Sequence, residues 1–357
     1  MRKKPSLLLQ ILFVIFCVVL GWTLIIPFVA VLTACEVIFN SRVNTTRKIL
    51  SVDDYKGLKK YPTSFKSRGN KINAAFYTNE EFYDKKALLI LSHGIGCGMN
   101  NYLNRIDYFA RKGYLVFAFD MTGSCESEGS SINGLPQSVV DIKNALIYLK
   151  TVDEIKGMKK LLYGHSWSGY GSATVLNFKE AQDLDAVASL SGFNNAWDIT
   201  ARQGYRYIGK LMILLKPWFN LYQLIKFGKA GVVNAIQGIN KYNKPVLVEH
   251  SEDDPTVSFE VSIYNQKDKC TNKKAIFNKY ENRGHTLSRP LEVEKKINQS
   301  LINAPEPPKK KPGENIFQYN VDIHYDYVDK ETTFAIDEEY MDHINEFFEK
   351  VLKEENN

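Results

Sequence analysis

Thirty consecutive residues near the N-terminus, Ser6 to Cys35, carry no charge. A helix needs about 20 apolar residues to cross the hydrocarbon core of a bilayer, so this run is long enough to span with tilt. It predicts a transmembrane anchor over 6–35, preceded by a short basic segment at 1–5. Pro27 is expected to kink that helix or to end its regular part. The apolar region of a cleaved signal peptide runs to about 7–15 residues, well short of this one. Arg2, Lys3 and Lys4 precede the run and Arg42, Arg47 and Lys48 follow it, so the positive charges on its two sides nearly balance. The free amino group and Glu36 tip the count towards a cytoplasmic N-terminus and a main domain outside the cytoplasm. Lipoprotein processing at Cys35 is the lesser alternative, since Leu32-Thr33-Ala34-Cys35 has the form of a bacterial lipobox.

Beyond the anchor the composition is that of a globular protein. Of 357 residues 44% are hydrophobic and 24% charged, which excludes disorder, collagen and coiled coil. The net charge of +6 is spread among nearly as many acidic as basic residues, so no nucleic-acid partner is indicated. The five cysteines, Cys17, Cys35, Cys97, Cys125 and Cys270, form no CxxC pair, which excludes a zinc ribbon and a disulfide scaffold. No Walker loop or dinucleotide fingerprint occurs, and no cofactor or metal is expected.

Residues 36–60 read as a linker and 61–357 as one domain. Ser64–Ser67 and Lys71–Tyr77 predict a hairpin turning at Arg68-Gly69-Asn70. Short apolar runs follow at Ala87–Ser92, Leu115–Phe119, Lys160–Tyr163, Ala186–Leu190, Pro245–Val248 and Ala275–Tyr280. Helical patterns separate them at 100–112, 137–150, 169–179 and 258–267. Such alternation builds βαβ units and a parallel sheet covered on both faces. Two segments interrupt it. Residues 194–243 contain no strand pattern and are aromatic and amphipathic, and we read them as a helical lid. Residues 286–336 read as a surface excursion, with a Pro/Lys loop at 304–313. Asp337–Lys353 closes the chain as a helix.

The chemistry concentrates where strands end. Leu161-Leu162-Tyr163 runs into Gly164-His165-Ser166-Trp167-Ser168-Gly169. A strand–turn–helix of small residues exposes a serine hydroxyl at a sharp elbow, and a base must then remove its proton. Ser168 stands where G-x-S-x-G has its second glycine. Three further loops follow strands: His93-Gly94-Ile95-Gly96, Ser251-Glu252-Asp253-Asp254-Pro255-Thr256-Val257 and Asn282-Arg283-Gly284-His285-Thr286. The chain order Ser, Asp, His belongs to the α/β-hydrolase arrangement.

From about residue 60 onwards the chain resembles the α/β-hydrolase superfamily, in particular bacterial serine esterases and the serine-aminopeptidase-like lineage that includes monoacylglycerol lipases. Asp120-Met121-Thr122-Gly123-Ser124-Cys125-Glu126-Ser127-Glu128-Gly129 matches their D-x-x-G-x-G-x-S-E-G loop, with Cys125 where a glycine is usual. The resemblance implies an α/β-hydrolase fold with a helical lid. It implies Ser166 as nucleophile, His285 as general base and Asp254 as the acid that orients it, with Asp253 as the alternative acid. The backbone N–H groups of Ile95 and Trp167 would form the oxyanion hole. His93, His165 and Asp120 are read as structural. Cys97 and Cys125 lie on loops at one sheet edge, as two thiols rather than a disulfide. Asn44-Thr-Thr and Asn298-Gln-Ser match glycosylation sequons, and Lys309–Lys311 reads as a solvated loop tip. The expected activity is hydrolysis of a small-molecule or lipid-like carboxylic ester by a membrane-tethered serine hydrolase. A peptidase or thioesterase on the same triad, and a non-catalytic binding protein on the same fold, are the alternatives.

Overall fold

The computed structural model describes residues 6–43, 50–79, 85–303 and 328–354. Arg2, Lys3, Lys4, Asn44, Arg47, Lys48, the Pro/Lys loop at 304–313 with Lys309–Lys311, and the side chain of Asn298 lie outside the described residues.

The uncharged run is helical throughout. Helices α1 (Leu7–Leu20) and α2 (Ile26–Phe39) join through a π-helical turn at Gly21–Ile25. Together they form one helix of 33 residues, long and apolar enough to cross a membrane. Pro27 does not end it: the regular α-helix is interrupted by the π-helical turn just before the proline, which accommodates the missing N–H, and then resumes. The helix continues past Cys35 to Phe39, and Val31, Cys35 and Phe39 are buried against the rest of the protein. Arg42 then donates to the carbonyls of Cys125 and Gly129, and Val43 bridges to Ser124.

An eight-stranded sheet carries the domain, in the order β1-β2-β4-β3-β5-β6-β7-β8. Strands β1 (Lys59–Ser67) and β2 (Asn70–Thr78) form the antiparallel hairpin, and β2 pairs antiparallel with β4 (Leu115–Phe119). The hairpin turns on Arg68 and Gly69, both at positive φ (49° and 90°), which the right-handed strand twist demands of a two-residue loop. β1 starts earlier than its apolar pattern because Pro62 and its polar neighbours occupy an edge strand, where a missing N–H costs no sheet bond. The remaining strands, β3 (Leu88–Ser92), β5 (Lys160–His165), β6 (Ala186–Leu190), β7 (Val246–Ser251) and β8 (Ala275–Tyr280), are parallel to β4.

Side chains alternate faces along each strand, and the two faces fill different cores. Leu88 and Ile90 join one core with α4 (Gln137–Leu149) and α5 (Trp167–Thr174); Leu89 and Leu91 join the other with α3 (Leu103–Arg111) and the C-terminal helix Glu338–Glu354. Residues 194–243 hold α6 (Ala196–Ile208), a 3₁₀ stretch Gly209–Leu215, α7 (Lys216–Phe227) and α8 (Ala235–Tyr242). Helix α9 spans Leu291–Ile302. One expected helix is absent: 258–267 folds as two 3₁₀ turns, Phe259–Val261 and Tyr264–Lys269. Ser262 causes this locally, since its hydroxyl donates to the Phe259 carbonyl and accepts from the Asn265 N–H, in competition with helical bonding.

Candidate active site

Parallel topology brings the loops after β3, β5, β6 and β7 to one sheet edge, and the chemistry-bearing residues gather there. Ser166 ends β5 and caps α5 at φ 62°, ψ −118°. A non-glycine residue in that region is strained, and the close approach of strand and helix holds it. A Cβ on Gly164 would stand 2.2 Å from the Ser168 carbonyl oxygen, so only glycine fits there. Ser168 is fully buried, donates to the Ser92 carbonyl at 2.6 Å and accepts from the His165 N–H at 2.9 Å. The departure from G-x-S-x-G therefore ties the end of β3 to the elbow, which a glycine could not do. Gly169 takes up the close packing instead: a Cβ there would lie 2.5 Å from the Leu190 carbonyl oxygen.

His285 faces Ser166 on one side and Asp254 on the other. Its Nε2 lies 2.8 Å from Ser166 Oγ and its Nδ1 2.7 Å from Asp254 Oδ2. The other oxygen of Asp254 accepts from the Thr256 and Val257 N–H groups at 2.8 and 2.9 Å. Burial pushes the Asp254 carboxyl up, but attraction and hydrogen bonding to His285, the charge of His250 and the Val257 N–H outweigh it. The group is held below the usual carboxylate range. Asp253 is turned elsewhere, accepting from the Gly284 N–H at 3.0 Å and from Ser251 Oγ. Of the two candidate acids, Asp254 is the one beside the imidazole, and Asp253 braces the histidine loop.

Of the oxyanion candidates, Trp167 follows Ser166 in the chain and Ile95 follows Gly94. Gly94 packs on Ser166, since a Cβ there would lie 3.3 Å from the serine Cβ. The Ile95 N–H has no acceptor among the described residues, and Trp167, as the first residue of α5, has no intrahelical one. The Trp167 indole donates to the Leu135 carbonyl at 2.7 Å and is buried.

His93, His165 and Asp120 serve the loops. His93 Nε2 accepts from the Met121 N–H and Nδ1 donates to the Gly94 carbonyl. Burial holds this ring below the ordinary imidazole range despite Asp120. Asp120 accepts from the Met99 N–H and the Asn73 amide. His165 has a larger part than packing. The Gly94 N–H donates to the Tyr102 hydroxyl at 3.0 Å, and because the His285 carbonyl can only accept from His165 Nε2, that hydroxyl donates to His165 Nδ1 at 2.7 Å. His165 is thereby the Nε2–H tautomer, donating at 2.9 Å to the His285 carbonyl. Ser191 donates to the same carbonyl at 2.8 Å. Tyr102 and His165 thus link the oxyanion loop to the histidine loop, and Ser191 ties the end of β6 to the same point. Spacing gave no sign of this chain, because its members come from three separate segments. His250 similarly braces the acid loop, Nε2 donating to the Val257 carbonyl at 2.8 Å.

Cys97 and Cys125 form no disulfide. Burial pushes the Cys97 thiol up to about 12, so it is no thiolate nucleophile. Cys125 takes φ 46°, the left-handed conformation that a glycine usually supplies in its loop. No group of His, Cys, Asp or Glu suited to a metal occurs among the described residues.

The sequence profile of the family described as serine aminopeptidase, S33, matches residues 83–264, just over half of the chain. No curated protein matches. Among solved structures, an esterase from Pyrococcus furiosus is similar at a TM-score of 0.52 and 18% identity, covering 72% of this chain and 95% of that one. An acetyl xylan esterase from Paenibacillus sp. R4 is similar at 0.50 and 14%, covering 68% and 84%. At such identities the likeness carries the α/β-hydrolase fold, and the profile carries the family: the chain belongs to the serine aminopeptidase S33 family of α/β hydrolases and is a serine hydrolase.

Proposed function

We propose that this protein is a membrane-tethered carboxylic-ester hydrolase acting through Ser166, His285 and Asp254. The observation that carries the reading is the unbroken line Asp254 Oδ2 – His285 Nδ1, His285 Nε2 – Ser166 Oγ, at 2.7 and 2.8 Å. His285 Nε2 takes the hydroxyl proton as Oγ attacks the ester carbonyl carbon. The tetrahedral oxyanion is met by the N–H groups of Trp167 and Ile95, each such bond supplying about 2.7–4 kcal/mol. Collapse breaks the acyl–oxygen bond, and the alcohol leaves with the proton from Nε2. Water, deprotonated by the same nitrogen, then releases the acid from the acyl-enzyme. Asp254 keeps its charge and stabilises the imidazolium.

An ester is preferred to a peptide because of the lid. Residues 194–243 hold Arg202, Arg206, Lys210, Lys216, Lys226, Lys229 and Lys241 against Asp198 alone. A surface of that sign repels the free ammonium of an aminopeptidase substrate and tolerates a neutral ester. The tether is the 33-residue helix. Its last turns are built into the domain core through Val31, Cys35 and Phe39, which suits a retained anchor better than a removable leader or a processed Cys35. The catalytic domain is assigned to the non-cytoplasmic side.

Labelling with a cell-impermeant fluorophosphonate tests nucleophile and sidedness together. The expected result is covalent labelling of intact cells, abolished in Ser166→Ala, whose kcat on p-nitrophenyl butyrate falls by roughly 10⁴–10⁶. Labelling that survives Ser166→Ala removes the proposed nucleophile, and labelling only after lysis reverses the orientation.

A further inference from the structure

The anchor and the lid meet. Helix α2 packs on α7 and on the 3₁₀ stretch Gly209–Leu215. Glu36, the first charge after the uncharged run, accepts from Tyr222 Oη at 2.7 Å and from Lys226 Nζ at 2.5 Å. The 33-residue helix is about 50 Å long at 1.5 Å per residue, against a hydrocarbon core of about 30 Å. Its uncharged part ends at Cys35, against the lid, so a bilayer that takes up the span reaches the lid.

The lid surface there is apolar where a soluble protein would be polar. Helix α7 buries Phe219, Tyr222 and Phe227 against the domain, yet its opposite side exposes Leu221, Leu224 and Ile225. On the helical wheel Leu221 and Ile225 adjoin the edge at which Tyr222 and Lys226 meet Glu36. Apolar residues on both sides of a helix suit a position between a core and lipid, and none of the described residues buries Leu221, Leu224 or Ile225 on the outer side of this one. Leu211 (65% exposed) and Leu214 (69%) extend the surface along the 3₁₀ stretch that also touches α2. Around it stand Arg206, Lys210 and Lys216, exposed and without an ion-pair partner among the described residues. The seven cations and one carboxylate of 194–243 give a net +6, equal to that of the whole chain.

We propose that this lid face is a membrane-docking surface that lies in the headgroup region of an anionic leaflet, on the side of the bilayer where the domain emerges. Apolar side chains sink to the acyl boundary while the basic rim pairs with lipid phosphates, the pattern of interfacial helices. The lid leaves the sheet after β6, at the edge that carries Ser166. Docking therefore sets that edge against the leaflet, and the ester hydrolysed is one drawn from it. The proposal rests on the membrane-tethered reading above.

The test uses the full chain in proteoliposomes of phosphatidylcholine, with and without phosphatidylglycerol. An environment-sensitive nitrobenzoxadiazole dye is placed at Ile225→Cys in a Cys17→Ser background, and the signal of the labelled parent is subtracted. Lys353→Cys, on the opposite layer, is the control. The expected result is quenching by shallow doxyl lipid roughly threefold or more stronger at 225 than at 353, increased by phosphatidylglycerol. Water-like emission at 225, or equal quenching at both positions, overturns the docking surface. Quenching indifferent to phosphatidylglycerol overturns its anionic specificity. The same label in Ser166→Ala reports docking without turnover. Failure of the chain to float with the liposomes sinks the tether, whereas floating with 225 in water sinks the docking surface alone.

Discussion

The elbow and the lid solve opposite problems with opposite residue types. At the elbow, Ser166, Ser168, His165 and His93 are polar and almost wholly buried, and each is tied to a neighbouring loop. In the lid, Leu214, Ile225 and Tyr207 are hydrophobic and largely exposed. Buried polar groups tolerate no slack, because an unpaired one costs the full desolvation penalty. Exposed apolar groups cost the fold little and become useful only when something outside the chain covers them. The elbow is therefore a completed structure, and the lid is a surface awaiting a phase.

Acid should separate the two regions most strongly. His93, His165 and His250 surround the sheet edge, and burial lowers all three below the ordinary imidazole range. Residues 194–243 contain no histidine. The unfolded chain binds protons at these rings near the ordinary value of 6.5 while the folded chain does not. The stability they contribute is thus complete above that pH and lost as pH falls below it. Each can add up to about 1.4 kcal/mol per pH unit. His343, raised by its bond to Glu249, works weakly against them from a partly exposed position. Hydrogen exchange of the full chain in detergent, compared at pH 7.5 and 5, should show amides of β3, β5 and β7 opening faster while those of α6 and α7 change little. Uniform acceleration would mean that acid acts on the fold at large.

Ser168→Ala comes next. It strips the Ser92 carbonyl and the His165 N–H of their buried partner, at a cost of about 2–3 kcal/mol. The urea midpoint should fall, and Ser168→Gly, which restores the common motif, should fall at least as far. An unchanged midpoint would make the departure a neutral substitution.

Much of the elbow was legible in the chain, because strand, small-residue turn and the loops that carry Asp254 and His285 are each contiguous segments. The strand runs Leu115–Phe119 and Ala186–Leu190 match β4 and β6 to the residue, since strands buried on both faces are continuously apolar. The bond between Glu36 and Lys226 joins residues 190 positions apart, and no local pattern announces it. The Tyr102–His165–His285 chain is hidden for the same reason. In the lid, periodicity revealed helices but not which apolar side would face the protein, because α7 carries apolar residues on both.

Tyr102→Phe probes that hidden chain. It removes the hydroxyl between the Gly94 N–H and His165 Nδ1 and leaves Ser166, His285 and Asp254 in place. A positioning role predicts a fall in kcat of about tenfold, or about 1.4 kcal/mol, with KM unchanged. Equal losses in kcat and fluorophosphonate-binding capacity would point instead to a damaged fold.

Tyr207→Ser should give the smallest effect and draw the sharpest contrast. Tyr207 is 87% exposed on α6, and exposed substitutions stay within about 0.5 kcal/mol. In detergent its urea midpoint and its turnover of p-nitrophenyl butyrate should both match the parent. In anionic liposomes the same variant should lose turnover of a bilayer-embedded ester, because the lost ring is contact area with lipid rather than with protein. Were stability to fall in detergent, the ring would be packing against its own chain, and the lid would be an ordinary part of the fold.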